Sequence, residues 1–404
     1  MRTRSHRYSR EDGEYTNSTH YDPQNNSLDI GFQRLKIFNC KIYPDMSSIK
    51  FLFVHQNNIT NLPDASLLPN LTELNCSNNN LKNIPFYRKL ITLNISFNKV
   101  TELNHYHNSD LKYLDCSFNP NIALNIYLPY CKHLYINDTK LTNIKLSRFR
   151  KLKFLDCSNN NLHDIDPSNS LLELNIQNNE MTELPLFPIL NVLMIDDNFL
   201  TSLVTYPYLK ILNASRNKLI HIDSQPQLTK ITASHNLVSK IGLMPKLEII
   251  ELDNNNITNF EIFGVSKHVC LQFNPITNLG VHEQAFQNIE ELQVDYKMYE
   301  KIYAKCYDSI KSINIFACEN KIDEKIKKLE GVFSARMLKF IKKMFLKTEF
   351  QNRGNMFGQI TVRICDEYFK NDDETTMREK CIMTLKNISK LYHKIIVVSL
   401  IFNY

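Results

Sequence analysis

The sequence predicts an α/β solenoid: one long parallel β-sheet, extended convex segments behind it, and a helical cap at the C-terminal end. Three observations carry this expectation. An asparagine returns every 19 to 22 residues, at Asn57, Asn79, Asn98, Asn119, Asn160, Asn179, Asn198, Asn217, Asn236, Asn255 and Asn274, with Thr139 in the one missing slot. Each copy lies in one frame, L-x-x-L-x-L-x-x-N-x-L-x-x-L, clearest in 71–84 (LTELNCSNNNLKNI) and 209–222 (LKILNASRNKLIHI). Beyond residue 320 the apolar spacing changes to three and four. A fixed period of this length marks a stack of equivalent units, each burying its apolar side against the next.

The elements follow from the frame. The L-x-L core alternates apolar and polar residues, as in Leu114-Asp115-Cys116 and Leu193-Met194-Ile195. Period-two alternation is a half-buried strand, so stacked copies form a parallel sheet with the leucines inward. The asparagine falls where the chain leaves the strand, and its amide both donates to and accepts from backbone groups of neighbouring turns. A ladder of such asparagines leaves the buried turn with no orphaned polar group. The outer segments carry prolines at Pro63, Pro85 and Pro185, and a second series, Pro188, Pro207, Pro226 and Pro245, recurs every 19 residues. Proline fixes φ and removes a donor, so these segments are expected to be extended rather than helical.

Organisation along the chain follows the same reading. Residues 1–27 are polar, lack periodicity and read as a flexible arm. The solenoid is expected over 28–318, with twelve regular repeats in 49–279 and degenerate ends. At the N-terminal edge 32–42 (FQRLKIFNCKI) reads as a thirteenth copy with Cys40 in the asparagine slot. Near the other edge 289–302 and 310–318 keep the strand pattern with Lys297 and Cys318 in that slot. Residues 319–404 then form a basic helical cap. Ile322, Ile326, Leu329, Phe333, Met337, Ile341 and Phe345 line one face of an amphipathic helix, and a second helix is expected over 375–393. The competing reading of the basic helix is a surface for a membrane or a partner.

Charge and cysteines narrow the function class. The net charge is +6, but 301–404 hold 20 Lys and Arg against 12 Asp and Glu, and the first 300 residues hold 28 against 30. The near-neutral repeat body argues against nucleic acid as its ligand. Cys76, Cys116 and Cys157 fall on the same inward position at alternate rungs, roughly 9.5 Å apart by strand spacing, too far for a disulfide. They read as small buried hydrophobes. The ten cysteines form no C-x-x-C pair, and the polar N-terminus has no apolar signal core. These features lead us to expect an intracellular, cytoplasmic protein. The apolar run 395–402 is too short for a membrane span, which needs about 20 residues.

No catalytic or cofactor motif is present: no G-x-S-x-G, no phosphate-binding glycine loop and no H-E-x-x-H. His105 and His107 lie close together without a companion at ligand spacing, so neither a metal nor a cofactor is expected. Function is placed instead on the exposed residues of the concave sheet face. Phe97, Phe118 and Tyr135 read as aromatic anchors. Asp156, Asp196, Asp197, Glu251 and Asp253, with Arg216 among them, give the later rungs an acidic cast that suits a basic partner. The competing reading is a plain solvated face with aromatics shielded by their neighbours.

The frame and its period resemble the short-type leucine-rich-repeat family. The outer L-x-x-P-x-L segments are similar to those of bacterial effector proteins, and the Asn-, Ile- and Lys-rich style is similar to that of leucine-rich-repeat proteins of large insect DNA viruses such as entomopoxviruses. The resemblance implies an intracellular scaffold that binds proteins; we expect a monomeric, non-enzymatic chain that takes a protein partner on its concave face, as a viral or pathogen protein acting on host factors. Some bacterial relatives add a ubiquitin-ligase domain. The alternative here is therefore an enzyme or ligase adaptor with its activity in 320–404, although no ligase motif is found there.

Overall fold

The structure, a computed structural model, describes residues 20–43, 45–107, 109–262, 265–281, 288–294 and 312–315. Residues 1–19 of the expected arm, Lys297, Cys318 and the whole helical cap expected over 319–404 lie outside them. The chain forms two compact units. The first runs to Glu180 and includes Pro185–Phe187, and the second comprises Met181–Leu184 and the chain from Pro188 onward.

In the first unit each rung contributes a strand of three residues: β1 (His20–Asp22), β2 (Ser27–Asp29), β3 (Phe51–Phe53), β4 (Glu73–Asn75), β5 (Thr92–Asn94), β6 (Tyr113–Asp115), β7 (His133–Tyr135), β8 (Phe154–Asp156) and β9 (Glu173–Asn175). From β2 on, neighbours in sequence pair in parallel with no slip, so Leu52, Leu74, Leu93, Leu114, Leu134, Leu155 and Leu174 form one central row. All of these leucines are buried. The second inward row, Val54, Cys76, Ile95, Cys116, Ile136, Cys157 and Ile176, is buried as well. Burying such a side chain is worth about 1.5–3 kcal/mol, and each rung buries its own only against its neighbours.

The N-terminal edge differs from expectation. The first rung uses Ser27–Asp29, with Leu28 paired to Leu52, and not 32–42. In this register Gln33 takes the asparagine slot, while Cys40 lies in a single 3-10 turn, Cys40–Ile42. Residues 20–27, expected in the flexible arm, add an antiparallel strand that pairs His20 with Asp29. This hairpin covers backbone groups that an open sheet edge leaves unpaired.

The second unit repeats the scheme with β10 (Val192–Met194), β11 (Ile211–Asn213), β13 (Lys230–Thr232), β15 (Ile249–Glu251), β17 (His268–Cys270), β19 (Glu291–Val294) and β20 (Ser312–Ile315), all parallel. The last two strands lie in the degenerate copies, so the strand pattern is enough for pairing without the asparagine. Among the described residues the outer segments contain no α-helix. They are irregular, with five single 3-10 turns and two short parallel pairs, β12 (His221–Ile222) with β14 (Lys240–Ile241) and β16 (Asn259–Ile262) with β18 (Asn278–Val281).

The asparagines tie rung to rung. Asn119 donates its amide to Ile95 O one rung back and to Cys116 O in its own rung, both at 3.0 Å, and accepts Val100 N–H at 2.9 Å. Asn79, Asn98, Asn160, Asn179, Asn217, Asn236, Asn255 and Asn274 likewise donate to carbonyls of two rungs. Asn57 reaches back to Ile30 O and to Val54 O, and Asn198 binds Ile195 O and Asp196 O. At Thr139 the shorter hydroxyl bonds to Ile136 O in its own rung at 2.7 Å and to Asn160 Oδ1 in the next at 2.9 Å, where its own N–H also donates at 3.1 Å, and it has no second amide proton to give to the rung before.

A second series fills the core from behind. Tyr87 and Tyr106 are fully buried and donate their hydroxyls to Pro63 O at 2.7 Å and Pro85 O at 2.6 Å, the carbonyls of the outer prolines. In the second unit Gln225 is buried near Tyr206, accepting its N–H at 3.0 Å and donating to Val204 O at 3.0 Å. The six described cysteines are free thiols. Burial pushes the Cys76, Cys116, Cys131 and Cys157 thiols up, Cys131 to about 12, as suits inert core groups.

Candidate functional site

Three columns of side chains run across the sheet face of the first unit. The outer column stands just before the central leucines: Phe51, Glu73, Thr92, Tyr113, His133, Phe154 and Glu173. The middle column stands just after them: Phe53, Asn75, Asn94, Asp115, Tyr135, Asp156 and Asn175. The third column holds the residues beside the ladder asparagines, among them Asn78, Phe97, Phe118 and Asp138.

The middle column is built by turn chemistry. Asn75, Asn94, Asp115 and Asp156 each accept the N–H two residues on, from Ser77, Ser96, Ser117 and Ser158, at 2.9 to 3.1 Å. Asparagine and aspartate favour this local bond, which bends the chain off the strand. The next residue lies in the left-handed region, and it does so as well at Asp138, where Tyr135 makes no such bond: Asn78, Phe97, Phe118, Asp138 and Asn159 have φ between 54° and 57°. Its N–H still serves the ladder, as when Phe97 N donates to Ser117 O at 3.0 Å. Asparagine and aspartate tolerate that conformation, whereas for phenylalanine it is an outlier. Phe97 and Phe118 nevertheless occupy it on adjacent rungs, with rings stacked 3.9 Å apart and 11° from parallel. Phe97 is 46% exposed.

The outer column holds aromatic residues that the sequence reading passed over. His133 and Phe154 stack at 4.5 Å and 7°, and Tyr113 lies 6.2 Å from His133 and 5.4 Å from Tyr135. Tyr113, His133, Tyr135 and Phe154 thus form one half-exposed aromatic cluster across β6, β7 and β8. The missed signal was the position immediately before each strand's central leucine. There the frame's variable x alternates outward just as the noted middle column does.

The electrostatics of this face come from burial. It raises the carboxyl pKa values of Glu73 and Glu173, and it raises that of Asp115 against the opposing bonds from Ser117. The Tyr113 and Tyr135 hydroxyls are pushed up by burial first and then by the neighbouring carboxylates. His133 is pulled down by burial and by Lys132.

The expected second-unit residues are placed differently. Asp197 and Arg216 pair with each other through two contacts, one of them Arg216 Nη2 to Asp197 Oδ2 at 2.6 Å. Glu251 accepts the Thr232 hydroxyl at 3.2 Å, and Asp253 accepts that of Ser234. Asp196 corrects the expectation of an exposed acid. It is only 7% exposed and accepts Ser215 N–H at 2.9 Å, because the step before the left-handed residue tucks its side chain under the next rung. Ser96, Ser117, Ser158 and Ser215, on the same step, are buried for the same reason.

Among the described residues no three His, Cys, Asp or Glu side chains converge as metal ligands. His107 accepts Tyr127 N–H at 3.2 Å. No described helix is long and apolar enough to cross a membrane.

No family model matches the chain. It is similar to a leucine-rich-repeat protein of Acanthamoeba polyphaga mimivirus, 50% identical over 176 residues, which are 44% of this chain and 42% of that protein. The match therefore spans less than half the length of that viral relative. Among solved structures, the leucine-rich repeat domain of APL1B aligns with a TM-score of 0.56 at 19% identity, over 72% of this chain and 93% of that one. YopM, a leucine-rich effector protein from Yersinia pestis, aligns with a TM-score of 0.53 at 21% identity, over 67% and 89%. At these identities the structural likeness is one of fold.

Proposed function

We propose that the chain, a leucine-rich-repeat solenoid by its fold, is a protein-interaction scaffold whose partner docks on the sheet face of the first unit. The observation that supports this most is the aromatic cluster Tyr113, His133, Tyr135 and Phe154. A solvated sheet face has no need of four aromatic rings on three adjacent rungs, and aromatic side chains dominate the energetic centres of interfaces. The stacked Phe97 and Phe118 extend the apolar surface along the third column. The viral relative supports the reading of the chain as a viral protein, for which host factors are the proposed partners, and the free cysteines suit an intracellular setting.

The test is partner capture by the full chain from lysate of its native host cell, read by quantitative mass spectrometry. A variant with Tyr113, Tyr135 and Phe154 replaced by Ala should lose the proteins that the wild type enriches. A control variant, Tyr208→Ala, alters an exposed residue of an outer segment of the second unit and should keep them. Equal enrichment by wild type and triple variant, with circular dichroism unchanged, rejects the sheet face as the binding surface.

A further inference from the structure

Tyr135 stands in the middle column between two acids: Asp115 pairs with it from β6 and Asp156 from β8. Glu73 and Glu173 bracket the same face in the outer column. Among the described residues none of these four carboxylates lies in an ion pair. The ion pairs among the described residues are His163 with Glu180, Arg216 with Asp197, Lys267 with Glu248, and His268 with Glu291. Asp115 and Asp156 nonetheless keep fixed positions, because each has its Oδ1 in the turn bond to the serine two residues on. The face therefore presents an aromatic ring with a held carboxylate on either side, and within both outer and middle columns of this unit there is no Lys or Arg.

We infer that this face takes a basic segment of a partner protein, with an Arg or Lys side chain lying over the Tyr135 ring between Asp115 and Asp156. The inference rests on the binding surface proposed above and adds the chemistry of its ligand. A cation over an aromatic face gains from the ring quadrupole, and more so when partly removed from water. The two carboxylates supply the charge complement that fixes register. Burial already holds the Asp115 carboxyl above its ordinary range, so a bound cation offsets a cost the free protein carries. A polybasic tract is disfavoured: exposed Lys112, Lys132 and Lys153 immediately precede the outer column and repel additional charge at that edge. The fitting ligand has one or two basic residues among apolar ones that cover the His133–Phe154 stack.

The experiment is selection of an unbiased displayed peptide library on the full chain, with counter-selection on the Tyr113→Ala/Tyr135→Ala/Phe154→Ala variant. Synthetic copies of the winners are then titrated by fluorescence anisotropy. The key variant is Asp115→Asn/Asp156→Asn. Asparagine already fills this column at Asn75 and Asn94 and accepts the same N–H, so the variant loses charge and keeps its turns. We expect winners with one or two Arg or Lys beside apolar residues, bound at least about tenfold more weakly by the double Asn variant. Winners that depend on the aromatics but are neutral or acidic, or that ignore the double variant, overturn the basic ligand and leave the binding face standing. If no winner depends on the aromatics, the face and its ligand fall together.

Discussion

Phe97 and Phe118 stack face to face at 3.9 Å while both backbones sit in the left-handed region, at φ 54° and 55°. Each residue is strained by about 1–2 kcal/mol, and the stack returns about 0.5–1.5 kcal/mol between them. Asn78 holds the same position one rung earlier without that strain. Phe97→Asn alone should therefore be close to neutral, since strain relief offsets the lost stack. The double variant Phe97→Asn/Phe118→Asn should gain about 1 kcal/mol, because the second relief has no stack left to lose. Chemical denaturation of both single variants and the double one reads this as a non-additive cycle; strictly additive losses would mean that neither strain nor stacking matters there.

Thr139 interrupts the ladder, and restoring it should stabilise the fold. Asn119 in the preceding rung shows what is missing, since its amide spans two rungs and its Oδ1 accepts a third bond. Thr139→Asn should gain about 1 kcal/mol from the added bonds. The opposite change, Asn119→Ala, strands buried backbone groups and should cost about 2–4 kcal/mol, at about 1–3 kcal/mol per orphaned group. Urea melts of the two variants should move in opposite directions from wild type.

The raised Asp115 carboxyl, held up by burial first, makes a signed prediction against pH. A group whose folded pKa exceeds its unfolded value, about 3.9 for aspartate, contributes full stability below that value and loses it as pH rises through the folded pKa. Asp115→Asn should thus stabilise at pH 7 by an amount on the order of 0.5 kcal/mol, and the gain should vanish near pH 3. His133 runs the other way. Its lowered pKa favours the neutral ring, so its contribution is present above about 6.5 and is lost as pH falls toward the folded value. A stability difference between Asp115→Asn and wild type that is flat from pH 3 to pH 7 contradicts the burial of this acid.

The Asp197–Arg216 pair is bidentate but exposed, with side chains 40% and 57% accessible. Solvent and salt screen such pairs to about 0.2–1 kcal/mol. Arg216→Ala should therefore cost less than about 1 kcal/mol, and the loss should shrink in molar salt. Since Arg216 is left-handed at φ 53°, Arg216→Asn should cost less than Arg216→Ala. Thermal melts at low and high salt check both statements.

Much of this protein is legible before its structure. The central leucines, the inward cysteines and the asparagine slots all follow from a repeat in which each residue's surroundings are set by the residue one period away. The edges were harder. The 32–42 segment matches the apolar spacing of a rung, yet Ser27–Asp29 pairs with β3, because pairing rewards the register that puts Leu28 over Leu52 and lets the hairpin close. Nothing local to 32–42 reveals that competition.

The sequence by itself determined the rungs, their register and the core, because strand alternation and the asparagine turn are local rules repeated until they reinforce one another. Only the tertiary structure decided which outward side chains meet. That Tyr113 approaches Tyr135, that His133 lies flat on Phe154, and that Asp196 is tucked under Ser215 all depend on distances between residues about a period apart. Those distances are set by the left-handed turn and the stacking of rungs, and a linear pattern of polar positions treats all such residues alike.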